Sequence, residues 1–83
     1  MRIHSTTSLE ELTCISKETI KELNSGEEFI VRDLFRGFEW NRIKKGNRTK
    51  LGSVFYSFAT NEGKISILPL GKTPQNQQRY QKL

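Results

Sequence analysis

Arg42, Lys44, Lys45, Arg48 and Lys50 fall within nine residues that hold no acid. Binding phosphate takes long cationic side chains, free backbone donors and a backbone that can come close. Gly46 inside the run allows the close approach. A helix N-terminus near Asn47 and Arg48 would add unpaired N–H groups for an anion. The pattern points to electrostatic binding of a polyanion, and nucleic acid is the commonest polyanion for a small domain. The plainer reading is a solvated charged loop that only keeps the protein soluble.

The residues after the run carry a different chemistry. Thr49, Gly52, Ser53, Ser57 and Thr60 are small or hydroxyl-bearing, so a strand could lie close and bond through phosphate oxygens. Tyr56 stands among them. On a basic face its ring could stack on an unpaired base, or it could pack against a neighbouring hairpin. Near the C-terminus Lys72, Arg79 and Lys82 form a second basic group around Tyr80, which reads as a half-buried strand residue. Trp40 reads as core or interface rather than a DNA platform.

Catalytic and metal chemistry find little support. The sole histidine, His4, lies in a polar N-terminal stretch. No carboxylate pair, glycine-rich phosphate loop or metal-ligand cluster appears, so no cofactor or metal is expected. Asp33, Glu39 and Glu62 are too few and too scattered for a metal-dependent nuclease.

Charge divides the chain. Residues 1–31 hold three Lys/Arg against six acids, a balance of −3; residues 32–83 hold eleven against three, +8, giving the formal +5. The acids Glu10, Glu11, Glu18 and Glu22 read as one solvated helix face. Eighty-three residues make one domain with a small core, in which five Phe and one Trp supply much of the bulk. The lone Cys14 excludes an internal disulfide, suits a cytoplasmic setting and reads as a small buried hydrophobe. No apolar run approaches the ~20 residues that span a bilayer, and the N-terminus lacks the apolar segment of a secretory signal.

The elements that must position these groups follow from periodicity. Residues 1–7 are expected to be loose and 8–83 to form the domain. Ser8 and Glu11 suggest a capping box for a first helix through Leu12, Ile15, Ile20 and Leu23, with a later start at Ser16 as the alternative. Glu28–Val31 suggests a strand, Arg32–Arg36 a short helical segment, and Phe38–Asn41 a turn or short helix that buries Phe38 or Trp40. Leu51, Val54, Phe55 and Phe58 make one apolar stripe on a helix from Asn47, its N-cap, to Thr60. Lys64–Leu70 and Arg79–Lys82 read as strands joined by the polar, glutamine-rich segment 71–78. The order predicts an α+β fold, a winged helix-turn-helix with three helices and a small antiparallel sheet whose C-terminal β-hairpin forms the wing.

GEEF followed by RDLF, the block WNRI before the basic run, LG opening the long helix and QQRY near the end carry a resemblance. Over residues 17–83 the chain resembles a family of small winged-helix, single-stranded DNA-binding proteins. These come from phages and mobile elements of Gram-positive bacteria, staphylococcal cassette chromosome elements among them. The resemblance implies a winged helix and single-stranded DNA binding in the replication of such an element, with a helicase or polymerase of that element as a possible protein partner. It supplies no contact residues. Three functions stay open: a single-strand binder without sequence preference, a duplex-reading regulator, and an adaptor working through the acidic helix or the Trp40 region.

Overall fold

The computed structural model describes residues 3–83. In chain order it contains helix α1 (Leu9–Thr19), strand β1 (Glu28–Phe29), helix α2 (Gly37–Arg42), helix α3 (Lys45–Thr60), and strands β2 (Ile67–Lys72) and β3 (Gln78–Lys82). The three strands form one antiparallel sheet in the order β1-β3-β2. The result is an α+β domain of three helices and a three-stranded antiparallel sheet.

Helix α1 starts after Ser8, whose hydroxyl accepts from the Glu11 N–H at 3.1 Å. That settles the start at Leu9 rather than Ser16. The hydroxyls of Thr13, Ser16 and Thr19 bond carbonyls one turn back, which satisfies these polar groups within the helix. Leu12, Ser16 and Ile20 face inward. Cys14 is exposed, contrary to expectation, because it stands about 200° around the helix from Leu12. Gly26, at φ +92°, then turns the chain, and its N–H bonds the Lys82 carbonyl at 2.7 Å.

The first strand is shorter than the expected Glu28–Val31. The Asp33 carboxylate accepts from the Ile30 N–H at 3.0 Å and the Asp33 N–H donates to the Ile30 carbonyl at 2.9 Å, so the chain turns there instead of continuing the strand. The short helical segment expected at Arg32–Arg36 is a 3-10 helix over Val31–Leu34. In α2 the buried residue is Glu39, with Arg36 Nε 3.8 Å from its carboxylate. Trp40 is half-buried against Phe35, while Phe38 stays out in solvent beneath the Arg42 guanidinium.

Helix α3 begins at Lys45 with Lys44 as its N-cap, so Asn47 is not the cap. Its inward face is Leu51, Phe55 and Ala59, with Phe58 half-buried; Val54, expected on that stripe, is exposed. Phe55 meets the sheet edge-on, 5.1 Å from the Tyr80 ring and 6.3 Å from that of Phe29, and these two rings stack at 5.6 Å. Residues 1–7 read as loose in the sequence, and residues 1–2 lie outside the described residues. In the structure Ile3 is fully buried, the His4 N–H donates to the Thr7 hydroxyl, and the Ile3 carbonyl accepts from Arg42 at 3.2 Å. Among the described residues, no helix is long and apolar enough to cross a membrane.

Candidate nucleic-acid interface

The β2–β3 hairpin folds back over one flank of α3 and leaves a groove of about 480 Å³ between them. Its helical wall is Arg48, Thr49, Gly52 and Ser53. Its opposite wall is Lys72 with the hairpin tip, Asn76 to Gln78. Ile30, Val31 and Arg32 close one side, and Trp40 and Tyr80 lie at the floor. No acidic residue lines it.

The hairpin tip is shaped by local bonds. The Thr73 N–H donates to the Gln77 carbonyl and the Asn76 N–H to the Thr73 carbonyl, both at 2.8 Å, and Asn76 adopts φ 65°. A bulge between Pro69 and Lys72 shifts the register, and the Gln78 amide braces it by donating to the Leu70 carbonyl.

Of the residues singled out by sequence, the structure brings Arg48, Thr49, Ser53 and Lys72 to the groove. Lys45, Thr49, Gly52, Ser53 and Tyr56 recur at i, i+4, i+7, i+8 and i+11, so one flank of α3 carries them. Tyr56, exposed at 46%, therefore continues the groove wall by one turn, although it does not line the groove itself. Lys44, Lys45 and Lys50 are exposed at and just after the start of α3.

The rest are placed elsewhere. Arg42 reaches back to the Ile3 carbonyl and covers Phe38. Arg79 pairs with Glu28 at 3.0 Å and donates to the Gly71 carbonyl at 3.1 Å. It alternates with the inward-facing Tyr80, so it lies on the outer face of the sheet. Lys82 lies at the far end of β3 opposite Ile67, and its backbone is bonded to Gly26 and Glu27.

The basic run itself is rearranged. It is not a loop ahead of a helix, because Lys45 onward is already helical. The N–H groups of Asn47 and Arg48 both bond the Lys44 carbonyl, at 2.9 and 3.0 Å, so they do not await an anion. Arg48 donates through Nε to the Ile43 carbonyl at 2.9 Å and through Nη2 to that of Asn41 at 3.3 Å. It thus holds the end of α2 against the start of α3. The same guanidinium lies over the Trp40 ring, 5.8 Å from its centroid.

Tyr80 is fully buried. Burial, and secondarily the neighbouring Tyr56, push its hydroxyl up to about 12 from 10.0. Its ring belongs to the core stack and is not a platform for a ligand.

The acids of α1 stand away from the groove. Lys17 of α1 covers the Phe58 ring at 4.9 Å, and Phe58 lies half a turn around α3 from Thr49. The helix that carries Glu10, Glu11 and Glu18 is therefore on the other side of α3.

Sequence reasoning passed over Arg32, Asn76 and Gln77, and assigned Trp40 elsewhere. The glutamine-rich tip was visible as composition. Nothing in its spacing signals that the hairpin returns onto α3. Among the described residues, no group of His, Cys, Asp or Glu could hold a metal ion.

No curated protein and no solved structure matches the chain. Residues 15–82 match the family described as "Domain of unknown function (DUF1413)", and the chain belongs to that family.

Proposed function

We propose that the chain is a single-stranded DNA-binding domain of winged-helix type without sequence preference. The observation that carries this reading is the groove between α3 and the hairpin, which has Arg32, Arg48 and Lys72 in its walls and no acid. The order of elements supports the winged helix. Two helices, α2 and α3, are joined by a two-residue turn and followed by a hairpin that flanks the second of them. In this reading α3 is the recognition helix and the hairpin is the wing.

Lys44, Lys45 and Lys50 draw the strand toward the start of α3, and Arg32 and Lys72 hold phosphates at the groove. The exposed flank of α3 offers Ser53 and Tyr56 rather than the Arg, Asn or Gln that reads base edges in a major groove. That favours the single strand over specific duplex recognition. The resemblance over residues 17–83 adds a place in the replication of a mobile genetic element, beside that element's helicase or polymerase.

Competition between a mixed-sequence single strand and its duplex, at several salt concentrations, tests the proposal. Tighter binding of the single strand is expected. Equal or tighter binding of the duplex would refute it.

A further inference from the structure

We propose that Phe38 and the two arginines beside it, Arg36 and Arg42, form a second contact for a single strand, on the face of α2 turned away from the groove. An unpaired base stacks on this site and the guanidinium groups hold the phosphates next to it. The inference rests on the nucleic-acid reading above and extends the surface that the strand covers.

Phe38 stands two residues from Trp40, about 200° around α2, so the two side chains leave opposite sides of the helix. Trp40 turns toward Phe35 and the groove. Phe38 is 49% exposed, and of the five phenylalanines, all among the described residues, no other is exposed. A single apolar side chain in solvent needs no explanation by itself. What stands around this one does. The Arg42 guanidinium lies 5.0 Å from the centroid of the ring and that of Arg36 lies 6.0 Å from it. The carbonyl of the fully buried Ile3 accepts from Arg42 Nη1 at 3.2 Å, which keeps that guanidinium beside the ring. Arg36 keeps 72% of its side chain in solvent. The groups are therefore in place before a ligand arrives, which lowers the ordering cost of binding.

Charge narrows the choice of ligand. From Arg36 to Lys50 the chain carries six cations and one acid, and that acid, Glu39, is buried. Lys44 and Lys45 are exposed at the junction of α2 and α3 and continue the positive surface to the start of α3. A bare phosphate would use the arginines and leave the ring idle. An apolar peptide would cover the ring but strip water from two cations without pairing them, which costs free energy. A nucleotide joins a flat apolar face to an anion and so uses both. Aromatic rings and guanidinium planes are the surfaces on which proteins stack unpaired bases. Bases inside a duplex are already stacked on both sides, so only an unpaired one can lie here.

The experiment measures binding of a mixed-sequence single strand of about 16 nucleotides and of a fully abasic strand of equal length. Phe38→Ala should weaken the base-bearing strand by about 5- to 100-fold and leave the abasic strand and the salt slope unchanged. Phe38→Trp, which keeps a ring, should retain the affinity. Arg36→Gln should weaken both strands and make the salt slope shallower by about 0.7. Circular dichroism confirms the fold of each variant. Unchanged binding of the base-bearing strand by Phe38→Ala, or an equal loss for both strands, overturns the second contact and leaves the proposed function standing. Binding of neither strand by the unaltered protein overturns both.

Discussion

Two glycines, one inside α3 and one just beyond its end, should respond to the same substitution with opposite signs. Gly52 lies inside α3, where glycine costs about 0.8–1.0 kcal/mol relative to alanine. Its Cβ would enter open space, so Gly52→Ala recovers that amount with no packing cost. Gly63 is buried just beyond the helix, and a Cβ there would stand 2.6 Å from Cε2 and 2.8 Å from Cζ of Phe58. That ring is held between Phe55, 5.7 Å away, and the Lys17 ammonium, so it has little room to yield. Overpacking of this kind costs about 1–3 kcal/mol. An unfolding entropy of about 2.1 cal/mol/K per residue gives roughly 0.17 kcal/mol/K for a chain of this length. Gly52→Ala should therefore raise Tm by about 5 °C, and Gly63→Ala should lower it by about 6–17 °C. Thermal unfolding followed by far-ultraviolet circular dichroism measures both. A lower Tm for Gly52→Ala would refute the open flank of α3. An unchanged Tm for Gly63→Ala would refute the close seat of Phe58 on Gly63.

Two further results are expected. Because the Tyr80 hydroxyl is pushed up to about 12 in the folded chain from 10.0, the folded state keeps a proton that the unfolded state releases. The contribution is fully present below pH 10 and is lost as pH rises toward 12; Tyr80→Phe should flatten that fall in denaturation midpoint, and an identical alkaline profile would contradict it. Neutralising Lys44 and Lys45 together to Gln should make the log–log salt slope for single-strand binding shallower by about 1.4, at about 0.7 per phosphate contact, with equal loss for all sequences. An unaltered slope would make these lysines a solvated surface only.

The regular parts of the fold were legible where residues repeat with a period. Leu51, Phe55 and Phe58 marked α3, and Ser8 marked the start of α1. The start of α3 was hidden because Lys44 caps it through backbone geometry alone, with no capping side chain to read. Charge also concealed structure at Arg42 and Arg48. Both look like free cations in sequence, yet each spends donors on carbonyls of a neighbouring segment. The groove was illegible for a different reason. It forms between residues 48–53 and a hairpin tip more than twenty positions later, and no local pattern encodes that approach. Ile3 shows the same limit at small scale, since one apolar residue in a polar stretch gives no period to detect.

The sheet order has a consequence for how the chain acquires its structure. The strand made last, β3, is the middle one, and both β1 and β2 bond only to it. Until Tyr80 arrives, Phe29 and Phe55 lack the third ring of their cluster, and β1 has no strand to pair with. A ribosome-bound chain that has reached only the hairpin tip can form its helices locally but has no sheet. Completion must wait for residues 78–82 and then close contacts across some fifty positions, the kind of distant pairing that slows folding. During synthesis the three helices should therefore form as a loose and protease-sensitive set that the final strand converts into a single cooperative unit.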